Sequence, residues 1–169
     1  MKKTAISGVA VIMLSWVINA THAQFEYSVA NTNNKLSMPG AVKNVKGIHT
    51  KAEINFTKTY KDATDVTWYS LNDKRLMVRF FDNGIQTKVF YNTKGYSDAG
   101  VRYYTEEKLP DEVGYLVKST YYGFNIFLVI EVTVGNKTAY LVKIKDKNWT
   151  KTIRVMNGEM DVVEEFENL

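Results

Sequence analysis

Histidine is the side chain best suited to moving protons near neutral pH, and this chain of 169 residues has two, His22 and His49. His49 stands beside Lys51 and Glu53, with no nearby partner that would make it a general base. Ser28, Ser37, Ser70, Ser97 and Ser119 lack the context of an activated nucleophile, so a Ser-His-Asp triad would rest on His49 alone. Cysteine is absent, which removes thiolate nucleophiles, thiolate metal sites and disulfides. No His, Asp and Glu spacing matches a metal site, and no glycine-rich loop suits a phosphate. The carboxylate pairs Glu106-Glu107, Asp111-Glu112 and Glu164-Glu165 are adjacent in sequence; on strands each pair points to opposite sides, and near a helix start they act as end charges. The expectation is a protein without catalytic residues, metal or cofactor.

Recognition chemistry is better represented. The segment LMVRFFDNGIQTKVFYN, residues 76–92, alternates apolar and polar side chains on both sides of Asn83-Gly84. That dipeptide predicts a two-residue hairpin turn, because both central positions need positive φ. The turn sets a register of Phe81 with Gln86, Phe80 with Thr87, Arg79 with Lys88, Val78 with Val89 and Met77 with Phe90. One face then carries Leu76, Val78, Phe80, Thr87, Val89 and Tyr91 and is the expected core face. The other carries Met77, Arg79, Phe81, Gln86, Lys88 and Phe90, and the corresponding face further along adds Leu141, Lys143, Thr150, Thr152 and Arg154. Cations set among aromatic and methionine side chains have the composition of a binding surface. Met77, Arg79, Phe81, Lys88, Phe90 and Arg154 are therefore the candidate binding residues. Either this face is open to a partner, or the apolar residues of the preceding arm, Phe25, Tyr27, Leu36 and Met38, fold across it.

These side chains need elements to hold them. Ala52, Phe56 and Tyr60 follow Ile48 at every fourth position and make one face of a helix. Val66, Trp68 and Ser70 then alternate with Thr67 and Tyr69 as a strand, with Trp68 placed to pack on Phe56 or Tyr60. A strand around Val101–Tyr104 follows the Gly95 turn, and Leu109-Pro110 opens a second helix with Val113, Leu116, Val117 and Tyr121 as its buried stripe. Strands are expected over 126–134, 139–145, 149–156 and 160–166. Helix plus four antiparallel strands thus occurs twice. One constant shift along the chain superposes Val66 on Ile130, Trp68 on Val132, Leu76 on Tyr140, Val78 on Val142, Phe80 on Ile144, Val89 on Ile153 and Tyr91 on Val155, all apolar. The predicted fold class is α+β: two tandem helix-plus-four-strand units, 47–107 and 108–169, in one continuous or closely packed antiparallel sheet with the helices on one face.

The ends set the compartment. Lys2 and Lys3 precede an apolar run from Ala5 to Ile18, and Thr21-His22-Ala23 offers small residues for cleavage after Ala23. The run is shorter than the ~20 residues needed to cross a bilayer, so 1–23 reads as a signal peptide and no stable membrane anchor is expected after processing. Residues 24–46, with NTNNKLSMPGA, read as a linker or N-terminal arm. Without Lys2 and Lys3 the charge falls from +4 to +2, too little for a nucleic-acid footprint.

The pattern Phe56-x3-Tyr60-x2-Ala63-x2-Val66-x-Trp68, the Asn83-Gly84 hairpin, Gly95, Leu109-Pro110 and Tyr121-x-Gly123-x2-Ile126 together resemble the β-lactamase-inhibitor-like, PepSY-like family. Lys61 stands where the family has a proline after Tyr60. The resemblance spans roughly 50–166 and implies an exported bacterial protein built from duplicated helix-plus-sheet units. It carries over no inhibitory loop residue. The expected function is a periplasmic or secreted envelope module that binds, sequesters or inhibits an envelope protein or peptide. The alternative is a periplasmic carrier or sensor holding a small ligand between sheet and arm.

Overall fold

The computed structural model describes residues 42–43, 50–72 and 75–169. The segments 1–23 and 24–41, His49 and Ile48 lie outside them. Within the expected arm, Val42–Lys43 forms a two-residue strand, β1, paired with Ser70 and Tyr69. Helix α1, Thr50–Thr59, precedes β2 (Thr64–Asn72), β3 (Arg75–Asp82), β4 (Ile85–Tyr91) and β5 (Ser97–Tyr104). A 3₁₀ turn at Glu106–Lys108 and helix α2, Asp111–Thr120, lead to β6 (Asn125–Val134), β7 (Lys137–Lys145), β8 (Trp149–Met156) and β9 (Glu159–Glu167). β2 to β9 form an open antiparallel sheet in which each strand pairs with the next, and β1 adds at the β2 edge.

The central hairpin has the register that its turn dictates: Phe81 faces Gln86, Arg79 faces Lys88 and Met77 faces Phe90. Asn83 and Gly84 both take positive φ, 49° and 78°, as the two-residue turn requires. Its core face is the expected one. Ala52 and Phe56 of α1 pack on Trp68, Val78, Phe80, Val89 and Tyr91, with the Phe56 ring edge-on to Trp68 at 5.6 Å and to Phe80 at 4.9 Å. Val113 and Val117 of α2, with Leu109, pack on Tyr104, Ile126, Val129, Val142, Ile144, Ile153 and Val155.

Two superpositions of the constant shift fail. Val66 is exposed, whereas Ile130 is buried. Trp68 pairs with Val78 on the α1 face, whereas Val132 pairs with Val101 and Ala139 on the opposite face. The neighbour of Val142 that corresponds to Trp68 is Val129. The cause is a β-bulge: the connections after β2 and β6 are both two residues long, but the β2–β3 register shifts between Ser70 and Asn72, whereas β6–β7 runs without a shift from Leu128 up to its turn. Ser70 faces Leu76 six positions on, but Glu131 faces Tyr140 nine positions on. The two separations differ by an odd number, so the side chains of the preceding strand change face relative to a fixed shift.

Gly95 ties α1 to the sheet. Its carbonyl accepts a 2.6 Å bond from the Asn55 amide, and it lies so close to the helix that an added Cβ would stand 2.6 Å from Lys51 Cβ and 2.7 Å from the Ala52 nitrogen. Its φ of +79° also disfavours any side chain. Gly95→Ala is expected to destabilise by about 1–3 kcal/mol. The comparison variant Gly84→Ala, at similar φ but with nothing within 4 Å, should cost about 1 kcal/mol. Urea unfolding of both variants checks the difference.

Candidate functional site: the second face of the sheet

The six candidate residues all lie on the sheet face opposite Val78 and Phe80, but they do not form one group. Met77, Arg79, Phe81, Lys88 and Phe90 share the β3–β4 hairpin. Arg154 is on β8, four strand spacings from β4, about 19 Å away. There its guanidinium donates to both Asp161 carboxylate oxygens at 2.9 and 2.8 Å. The face is also less open than expected. Met77 and Lys88 are buried, and Arg79, Phe81, Phe90 and Arg154 are half-buried. Val101, Leu128, Ile130, Val132, Ala139 and Leu141 are buried there too, and none of them belongs to the α1 or α2 cluster. Apart from β1, the arm proposed as cover lies outside the described residues.

Arg79 and Lys88 face each other directly across β3 and β4. Like charges so placed repel. The Lys88 ammonium has the Tyr103 ring beneath it at 5.0 Å and donates a long 3.4 Å bond to the Tyr103 hydroxyl. The strand neighbour of Lys88 on the far side is Val101, which brings no charge. Burial, and then the Arg79 guanidinium, hold the Lys88 pKa below its ordinary value. Among the described residues neither cation forms an ion pair.

The constant shift carries Arg79 and Lys88 onto Lys143 and Thr152, which also face each other, across β7 and β8. There β9 supplies a carboxylate: Glu164 accepts from Lys143 Nζ at 3.4 Å and from the Thr152 hydroxyl at 2.9 Å. Sequence reasoning could identify the Arg79–Lys88 pair from the hairpin. It missed this contrast, because the decisive neighbours come from β5 and β9. It also missed a polar strip on the face of Val78 and Phe80, where Arg102, Glu131 and Tyr104 interact; in sequence they are ordinary members of alternating strands.

Alkaline pH probes tyrosines of both sheet faces, Tyr103 beside Lys88 and Tyr91 and Tyr104 on the other side. Burial raises the Tyr103 phenol to about 12 from its ordinary 10.0, and burial also raises Tyr91 and Tyr104. A raised tyrosine favours the neutral phenol in the folded state, so its contribution is complete below pH 10 and is lost as pH rises through the folded value, for Tyr103 about 12. Lys88 acts in the opposite direction: its lowered pKa penalises the folded state at lower pH, and the penalty fades as pH rises to its ordinary 10.5. Stability should therefore fall steeply only above that point. Thermal melts across this range should show the drop, and Tyr103→Phe should reduce it.

No family model and no curated protein matches the chain. Solved structures do. A BLIP-like protein from Bacteroides fragilis NCTC 9343 superposes with a TM-score of 0.56 at 13% identity, over 73% of this chain and 89% of that one. A DUF2874 family protein from Bacteroides ovatus ATCC 8483 gives 0.55 at 18% identity, over 73% and 89%. A candidate periplasmic protein from Bacteroides eggerthii DSM 20697 gives 0.53 at 16% identity, over 69% and 86%. The chain has the fold of these BLIP-like and DUF2874 proteins.

Proposed function

We propose that this chain is an exported envelope protein that binds a protein or peptide partner through the second face of its sheet, with Arg79 and Lys88 receiving a carboxylate of the partner. The observation that carries the reading is the cation pair without an acid among the described residues, beside the Lys143–Thr152 pair that shares Glu164. A partner carboxylate would supply between β3 and β4 what β9 supplies between β7 and β8, and Arg79 offers it directional, charge-assisted bonds. Phe81 and Phe90 flank the pair and add apolar contact area. The BLIP-like and candidate periplasmic neighbours favour a non-catalytic binding role in the envelope, as does the signal-like sequence of residues 1–23.

The same reading treats residues 47–107 and 108–169 as a duplicated unit with both helices on one face. One offset relates Ala52 to Val113, Phe56 to Val117 and Trp68 to Val129, and a slightly larger one relates Val78 to Val142 and Val89 to Ile153. Affinity capture from an envelope extract tests the function. The intact protein should retain a specific partner that a charge-removed variant at Arg79 and Lys88 does not. Equal capture by both would reject this face as the binding surface.

A further inference from the structure

The helix face of the sheet contains a second site, unrelated to the Arg79–Lys88 pair. β5 and β6 lie between the sheet regions under α1 and α2, and there the core-facing side chains become polar. In register from β4 to β7 the row reads Thr87, Arg102, Glu131 and Tyr140, and the next row reads Val89, Gly100, Thr133 and Thr138. Flanking strands put Val78, Phe80, Val142 and Ile144 on this same face. A core face broken by glycine and charged residues gives up apolar burial, and the gap is an open cleft of about 220 Å³. Tyr60, Asp82, Thr87, Gly100, Arg102 and Thr133 line it.

Three charged residues line it, at separate points: Asp82, Arg102 and Asp98, the last already paired with Arg75 at 2.7 Å. Arg102 reaches Glu131 through Nη1 at 3.5 Å, and Glu131 also accepts the Tyr104 hydroxyl at 2.6 Å, leaving the Arg102 side chain 38% exposed. Asp82 accepts a 3.2 Å bond from the Asn83 amide and, among the described residues, forms no ion pair. The Tyr60 phenol lies within the influence of both: burial and then Asp82 raise its pKa, and Arg102 lowers it. Asp82 and Arg102 are two strands apart and offset by two residues along the strands, so about 12 Å separates their backbones. With both side chains reaching inward, a ligand about 7 Å long, the extent of two residues, spans the interval. We propose that this cleft binds a small zwitterion of dipeptide size, its ammonium on Asp82 and its carboxylate on Arg102.

Gly100 provides a selective way to close the cleft. A Cβ at Gly100 would meet only the Lys88 carbonyl, at 3.9 Å, so Gly100→Val keeps strand geometry while filling the floor. An amide-resolved NMR titration with alanyl-alanine should shift Gly100, Thr133 and Thr87 in the intact protein. N-acetylated and C-amidated forms of the dipeptide should each bind about fivefold more weakly, as expected for a partly exposed ion pair. Asp82→Asn should remove the preference for the free ammonium but keep that for the free carboxylate, and Gly100→Val should abolish the shifts. The wild-type shift map and the capped peptides are informative even if a variant does not fold. Shifts elsewhere, no saturation, or equal binding of the capped and free dipeptides would overturn the proposal.

Discussion

Trp68→Ala is expected to destabilise the protein by about 3–5 kcal/mol, the usual range for deleting a buried aromatic side chain. Trp68 is 8% exposed and bridges two parts of the first core: its ring lies 5.6 Å from Phe56 of α1 and 5.6 Å from Tyr91 of β4. Removing it leaves a cavity between helix and sheet that backbone relaxation cannot close, because Phe56 is also held against Phe80. For a chain of this size the melting temperature should fall by roughly 10–15 °C. Val66→Ala, two positions away and exposed, should change stability by no more than about 0.5 kcal/mol. A Trp68→Ala melt close to wild type would invert the assignment of faces in β2 and of everything paired with it.

The second large effect is on binding. Arg79→Gln combined with Lys88→Met removes both charges and keeps both aliphatic stems, so packing around the buried Lys88 is retained. The variant should fold with unchanged or slightly raised stability, since repulsion between opposed cations and the burial of an ammonium are both relieved. Partner affinity should fall by about 2–5 kcal/mol, the range for truncating buried charges at an interface, which is at least about 30-fold. Neutralising Lys143 alone should have little effect on binding, because its ammonium already contacts Glu164. If the double variant binds as well as wild type, the sheet face is not the contact surface, and Phe81→Ala would then distinguish a core role for this face by its cost in stability.

Much of this architecture is local and could be read directly. Period-two alternation around Asn83-Gly84 specifies the hairpin, its register and its core face, because successive strand side chains alternate sides and the turn admits one pairing. The fourfold spacing of Ala52, Phe56 and Tyr60, and the Val113–Val117 stripe, specify both helices in the same way. Strand identities through β9 follow from the same alternation.

The equivalence of Trp68 with Val132 was not testable from the pattern, since both are apolar in alternating strands and only the β-bulge between Ser70 and Asn72 produces the change of face. Arg154 could have been separated from Arg79 by the same turn rule, because the Asn157-Gly158 turn sets Arg154 opposite Asp161, whereas Asn83-Gly84 sets Arg79 opposite Lys88. By itself the sequence determined the elements, their order and the Arg79–Lys88 opposition, all consequences of backbone periodicity within a single helix or hairpin. Tertiary structure decided which cations gain a carboxylate, which apolar residues share a core, and where the helices leave the sheet polar. Those depend on contacts such as Tyr104 with Glu131 and Lys143 with Glu164, between strands whose pairing is set by packing and connection length rather than by either strand's own pattern.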